Sequence, residues 1–207
     1  MMNEYYFSNL NDIEQKCYRK IISAVRNKET NVNLGIFIGE NIFENLLKAI
    51  DYDHPEFFYV DFKQVKYVKS TLGLIYYINY RIKIDLCDMV INSVQKEISK
   101  VKQLAIKQNF TTDYEKCRWI HNYLVKGVRY NFEAVSYPNN FPEAFEIDGV
   151  FKGKRAVCEG IAKAYKFLCD KLGVESLIAF GTATSEYFGQ DLLHAWNIIK
   201  IENQFMQ

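Results

Sequence analysis

The segment from residue 153 to 173 constrains the fold of this chain more than any other part of the sequence. Ile161 and Leu168 keep helical spacing, and Gly173 supplies a stop, which predicts a helix whose first turn contains Cys158. Unpaired backbone N–H groups and the positive end of the helix dipole surround a sulfur at that position. Thiols in such places have a pKa of roughly 3.5–7.5 instead of about 8.5. The segment therefore predicts a nucleophilic cysteine.

A nucleophilic thiol works best beside a general base, and the candidate base is His194. This histidine lies in a predicted strand that follows another predicted strand at 174–182. Along a strand, His194 and Trp196 share one face, whereas Asn197 points to the other. The pattern places Trp196 as a wall of the site and leaves Asn197 badly placed to orient the imidazole. The N–H groups at the helix start could also stabilise an oxyanion on a carbonyl under attack.

The remaining cysteines and histidines are predicted to be structural. Four cysteines lie on predicted apolar faces and are assigned to the core: Cys17, Cys87, Cys117 and Cys169. His121 lies between the apolar stripe and the solvent face of a helix, and His54 precedes a proline in a turn. Asp191 could orient His194, but a role in a turn is favoured. Three scattered histidines and no CxxC pair supply no metal site, so we expect no metal and no cofactor.

Composition narrows the class of protein. The 207 residues include 26 basic and 25 acidic side chains, so the net charge is +1 and nothing draws the chain toward nucleic acid or an anionic membrane. Five cysteines without a CxxC pair are a poor disulfide framework and fit a reducing, cytoplasmic location. The apolar runs are far shorter than the roughly 20 residues of a membrane span, and no secretory signal is visible.

Periodicity along the chain predicts an α+β fold. Helical spacing covers 10–27, 41–50, 85–108 and 111–126, with Asn9 or Asn11 capping the first helix and Thr111 or Thr112 the last. Alternation over 74–84 predicts a strand, which would pair with another near 64–69. We place a domain boundary between an N-terminal helix-and-hairpin region of unknown role, residues 1–110, and a C-terminal core, residues 111–207.

Four blocks in the C-terminal half resemble the transglutaminase-like superfamily. They read Gly-Lys-x-Ala-Val-Cys-Glu-Gly from residue 153, Ala-x-x-Phe-Leu-x-Asp-Lys-Leu-Gly-Val from residue 164, Gly-Thr-Ala from residue 181 and His-Ala-Trp-Asn from residue 194. The resemblance covers roughly residues 112–207. It implies a papain-like core in which a helix bearing the nucleophile Cys158 packs on an antiparallel sheet bearing the base His194.

The resemblance also implies a third catalytic residue, an aspartate on the strand after the histidine strand. The expected position falls about two residues beyond Gln207, so we expect the core to be incomplete at its C-terminus. A hairpin after His194 would begin its second strand near Phe205. We expect weak or no turnover from this form, and self-association through the exposed strand edge.

The resemblance implies thiol-dependent acyl transfer on an amide of a protein or peptide. Transfer to water would make the chain a cysteine peptidase or amidase, and transfer to an amine would make it a transglutaminase. Cys158 and His194 are the expected catalytic residues, with Trp196 and Glu159 contacting substrate. The alternative is a catalytically weak or inactive interaction module that keeps the scaffold.

Overall fold

The computed structural model describes residues 4–185, 190–202 and 204–206. Helices and antiparallel sheets occur together, which confirms the α+β fold class. The chain forms two compact units, residues 4–91 and residues 92–207. The division between them falls within one long helix, and the predicted domain boundary between residues 110 and 111 stays a prediction.

The first unit combines helices with a small antiparallel sheet of order β1-β3-β2. Its elements are α1 (Tyr5–Ser8), α2 (Asp12–Arg26), β1 (Asn31–Asn33), α3 (Glu40–Asp53), β2 (Lys66–Ser70), β3 (Gly73–Tyr77) and the start of α4 (Ile84–Ile106). Asn11 caps α2 through a reciprocal capping box with Glu14, which confirms the second of the two expected caps. The predicted hairpin is also present, because β2 and β3 pair from Lys66 opposite Tyr77 to Ser70 opposite Gly73.

The strand expected over 74–84 is wrong in length, since β3 ends at Tyr77. Beyond that point the backbone bonds to loops instead of a strand: the Ile78 N–H donates to Thr30, and the Arg81 N–H donates to Tyr59. Ile78 stays buried nonetheless. The alternation of buried residues therefore continues past Tyr77, the last residue paired with β2. For this reason the sequence pattern overestimates the length of the strand.

The second unit carries the segment singled out by the sequence. After the remainder of α4 it contains α5 (Asp113–Gly127), β4 (Arg129–Tyr130), α6 (Phe132–Ser136), β5 (Arg155–Ala156), α7 (Cys158–Leu172), β6 (Ser176–Ser185), β7 (Gln190–Ile201) and β8 (Gln204–Met206). β4 and β5 pair in parallel, whereas β6, β7 and β8 form an antiparallel sheet in that order. Helix α7 packs on β6 and β7, as the papain-like arrangement predicts.

Helices α5 and α7 begin and end where the sequence predicts, whereas α6 was not predicted. Thr112 caps α5 in a capping box with Glu115. Gly173 follows α7 in the left-handed conformation, with a φ of 73°, and its N–H bonds back to the last turn. β8 lies opposite Ile199 to Ile201 on β7, so the hairpin expected near Phe205 is present. Between α6 and β5 the chain runs through short 3₁₀ turns and one π-helical turn.

Two backbone hydrogen bonds and one close approach fix the start of α7. The Asn131 N–H donates to the Ala156 carbonyl at 3.0 Å, which joins β4 to β5 directly before the helix. The Val157 N–H donates to the Ala144 carbonyl, also at 3.0 Å. The same carbonyl lies against Gly160, where a β-carbon would overlap its oxygen. The first turn of α7 thus has one permitted position against the loop before it.

In the part of the chain that the structure describes, no helix combines the length and the apolar character that a membrane span requires.

Substitution of Gly160 by alanine should destabilise the second unit. The added methyl group must displace the Ala144 carbonyl, and overpacking of this kind costs about 1–3 kcal/mol of unfolding free energy. Gly153→Ala is the matched control, because its β-carbon would meet no atom within 4 Å, and it should change stability by no more than about 0.5 kcal/mol. Urea denaturation measures both variants. Equal stability of the two would contradict the close approach at Gly160.

Candidate active site

Cys158 is the first residue of α7. The residue before it, Val157, has no side chain that could accept hydrogen bonds from the first N–H groups of the helix. Cys158 is half-buried, whereas the other four cysteines are buried, as predicted. The sulfur of Cys158 therefore combines access from outside with the electrostatic field of a helix N-terminus.

His194 lies on β7 directly opposite Gly181 of β6. Its ring stacks on that of Trp196, with centroids 6.0 Å apart and planes 21° apart. The Trp196 ring in turn covers Gly181, where a β-carbon would lie 2.8 Å from it. A glycine in the neighbouring strand thus makes room for the tryptophan beside the imidazole.

Cys158, His194 and Trp196 line the same cavity, which has a volume of about 410 Å³. Helix α7 and strand β7 supply most of its wall, and α5 and β4 supply the rest. The structure thus brings together the two residues that the sequence assigned as nucleophile and base, and it puts the predicted wall residue beside them. A direct contact between the sulfur and a ring nitrogen stays a prediction.

Tyr130 is a site residue that the sequence analysis missed. It lines the cavity from β4, where it lies opposite Ala156, two residues before Cys158. Its hydroxyl lies beside the Cys158 sulfur and backbone N–H, and both affect its pKa. Burial and the adjacent sulfur raise the pKa of Tyr130 to about 12, so the phenol is a neutral donor at physiological pH. The parallel β4–β5 pair that brings it here has only two residues in each strand, which is too short for a periodicity signal.

His121 was predicted to be structural, but it lines the cavity from α5. It is exposed and follows Cys117 by one helical turn, so it stands at the margin of the buried face. A second imidazole is therefore present beside the candidate pair. In the sequence, His121 lies three residues before the apolar residue Leu124. This spacing places His121 at the edge of the apolar face of the helix.

Glu159, which was expected to contact substrate, is buried in an ionic contact instead. It is buried, and its carboxylate lies 3.5 Å from Lys163 one turn along α7. Lys163 has no exposed surface and also donates to Glu146 at 2.6 Å. The carboxylate thus belongs to an ionic cluster behind the helix start, and Glu159 is not among the residues that line the cavity. A substrate contact by Glu159 has no support in this placement and stays a prediction.

Two polar residues near His194 have partners elsewhere. The Asn197 amide donates to the carbonyl of Ala162 on α7 at 3.0 Å, although Asn197 lines the same cavity as His194. Asp191 accepts a hydrogen bond from the Thr184 hydroxyl at 2.8 Å across the β6–β7 hairpin. Asp191 thus stabilises the hairpin, as the favoured interpretation expects.

A second pair of thiols lies between α5 and α7. The Cys169 thiol hydrogen-bonds to Cys117 and lowers the pKa of Cys117 to about 7, with a further contribution from the Tyr165 hydroxyl. The same hydrogen bond raises the pKa of Cys169. Cys117 is only 3% exposed, so reagents in solution do not reach its sulfur even though its pKa is lowered. Cys117 therefore differs from Cys158 in its burial.

Among the residues that the structure describes, no group of three or more histidine, cysteine and acidic side chains is arranged to hold a metal ion.

Comparison with known proteins identifies the family. The model of the transglutaminase-like superfamily matches residues 102–207, and this chain belongs to that superfamily. The kyphoscoliosis peptidases of Mus musculus and Homo sapiens are each 24% identical to it over 104 residues. Those matches cover 47% of this chain, which spans only 15% of the length of either peptidase.

A solved structure described as a crystal structure of a TGase is similar to 82% of this chain, with a TM-score of 0.47 and 14% sequence identity. The similarity covers 47% of that TGase chain.

Limiting iodoacetamide at pH 7 should alkylate Cys158 before any other cysteine. Alkylation requires both a thiolate and access, and Cys158 is the one cysteine that is not fully buried. Peptide mapping by mass spectrometry after partial reaction measures the order. Cys117 is the informative internal comparison, because its pKa is lowered but its sulfur is buried. Earlier modification of Cys117, Cys17, Cys87 or Cys169 would contradict the prediction.

Proposed function

We propose that this chain catalyses thiol-dependent acyl transfer, with Cys158 as nucleophile and His194 as general base. The observation that carries the proposal is that both residues line one cavity, with the cysteine at the first turn of α7. Membership of the transglutaminase-like superfamily supports the same pairing. The acyl donor is an amide of a peptide or protein.

In the first half-reaction the Cys158 sulfur attacks the carbonyl carbon of the donor. The proton of the thiol passes to a ring nitrogen of His194, and a carbon–sulfur bond forms as the carbonyl oxygen becomes an oxyanion. Collapse of this intermediate breaks the carbon–nitrogen bond. The leaving amine takes the proton from His194, and a thioester remains on Cys158.

The second half-reaction releases the acyl group from the sulfur. Water or an amine attacks the thioester carbonyl while His194 accepts its proton, and the thiolate leaves and is protonated again. Attack by water yields a carboxylic acid, and attack by an amine yields a new amide. The mouse and human relatives are named as peptidases, which favours water as the acceptor.

The start of α7 offers two donors for the oxyanion. The Cys158 backbone N–H is fixed by the helix, and the Tyr130 hydroxyl lies next to it. An incoming carbonyl oxygen would accept hydrogen bonds from both of these groups. Both groups then point at the developing negative charge, which is the arrangement of an oxyanion hole.

An acylation burst tests the proposal without knowledge of the natural substrate. The protein is mixed with p-nitrophenyl acetate, and we expect rapid release of p-nitrophenolate with the acetyl group on Cys158, located by peptide mapping. Cys158→Ala should abolish the burst. His194→Ala should slow acylation by about 10²–10⁴-fold, because the thiol loses its general base.

Cys117→Ala is the matched control, since it removes the thiol whose pKa is lowered by its hydrogen-bonded neighbour Cys169 and should retain the burst. Added methylamine then separates the two acceptors: free acetate indicates hydrolysis, and N-methylacetamide indicates transfer to an amine. A folded protein that never carries acetyl on Cys158 would contradict the proposal and favour a non-catalytic interaction module.

Tyr130→Phe should lower turnover and leave the fold intact. The substitution removes the hydroxyl but keeps the ring, which packs on Phe132 with centroids 5.0 Å apart. Loss of one oxyanion donor costs about 10²–10³-fold in turnover. The rate of the acylation burst with the same ester measures the loss, and Tyr137→Phe, an exposed tyrosine outside the cavity, is the control. An unchanged burst rate in Tyr130→Phe would exclude the hydroxyl from the oxyanion hole.

A further inference from the structure

We infer that the cavity beside Cys158 accepts an aromatic side chain of the acyl donor, next to the carbonyl that is attacked. This inference rests on the proposed function, because it assigns a substrate class to the same site.

The first argument is the absence of charge. Among the described residues that line the cavity, none is an aspartate, a glutamate, a lysine or an arginine. A charged donor side chain would lose its hydration there without gaining an ionic partner, and such burial is costly. Glu159, the nearest acidic residue along the chain, is buried against Lys163 instead.

The second argument is that two neutral polar side chains of the wall, Asn197 and Tyr165, already have partners. The Asn197 amide donates to the carbonyls of Ala162 and Leu177, at 3.0 and 3.5 Å. The Tyr165 hydroxyl donates to the Cys117 carbonyl at 3.3 Å. A donor carboxamide, as in glutamine, would have to compete for these groups, and a site selects a polar side chain strongly only when it offers matched partners.

The third argument is the shape and surface of the wall. Tyr165 and Trp196 present rings, and Ile161 and Ile199 present branched aliphatic groups. Aromatic side chains each bury about 150–250 Å² and gain further from offset or edge contacts with other rings. A volume of about 410 Å³ falls within the range of ligand pockets, so one such side chain fits beside the attacked carbonyl.

A panel of N-acetyl aminoacyl nitriles tests the inference. The Cys158 sulfur adds to the nitrile carbon and the thiol proton moves to the nitrile nitrogen, which gives a reversible thioimidate. Nitriles derived from phenylalanine, alanine, glutamine, aspartate and lysine differ only in the side chain. The readout is the concentration of each that protects Cys158 from iodoacetamide. We expect the phenylalanine nitrile to protect at concentrations at least about 10-fold lower than the other four.

A charge placed in the cavity should reverse the preference. Ile161 lines the cavity from the first turns of α7, where an acidic side chain is compatible with the helix dipole. Ile161→Asp should weaken protection by the phenylalanine nitrile and strengthen protection by the lysine nitrile, each by about 10-fold. Val125→Asp, an equivalent change at an exposed position of α5 outside the cavity, should leave the wild-type order unchanged.

The outcomes separate the inference from the proposed function. If the ester acylates Cys158 but the glutamine, aspartate or lysine nitrile protects as well as the phenylalanine nitrile, the substrate class is wrong and the catalytic proposal stands. If neither the ester nor any nitrile reacts at Cys158 of the folded protein, the proposed function fails and the inference fails with it. The wild-type panel decides between these outcomes even if Ile161→Asp does not fold.

Discussion

The carbonyl group of Ala144 fixes the start of α7, the helix that carries Cys158. It accepts the Val157 N–H and lies so close to Gly160 that no side chain fits there. A helix N-terminus held in this way cannot shift along its axis without breaking the hydrogen bond or producing a steric clash. The positions of Cys158 and of its N–H group depend on this one contact.

A buried ionic cluster strengthens the same junction. Lys163 connects Glu146, which precedes the helix, to Glu159 in its first turn. Buried ion pairs add little net stability compared with apolar packing, but removing one partner leaves an uncompensated charge and is strongly destabilising. The cluster therefore selects a single arrangement of the loop against the helix. A nucleophile needs this kind of precision, because small displacements of a reacting group reduce rates steeply.

Local patterns were sufficient to predict the longer helices and the hairpins but not the shorter elements or the full site. Caps, glycine stops and spacing located α2, α5 and α7, since those signals depend on neighbouring residues. Tyr130 escaped prediction because a two-residue parallel pair with β5 brings it to Cys158, and such a pair leaves no periodicity. Glu159 looked available next to the cysteine, but its burial depends on Lys163 and on a loop that precedes it by several residues. Long-range contacts decided each of these cases.

The most direct test of this account is a crystal structure of the protein after reaction with the aldehyde of N-acetylphenylalanine. We expect a hemithioacetal on Cys158, with its oxygen about 2.7–3.1 Å from both the Cys158 N–H nitrogen and the Tyr130 hydroxyl, and the benzyl group against Trp196. That result would place the helix N-terminus, the nucleophile and the cavity in one reacting arrangement. An adduct on a different cysteine, or a hemithioacetal oxygen directed to solvent away from α7, would contradict the account.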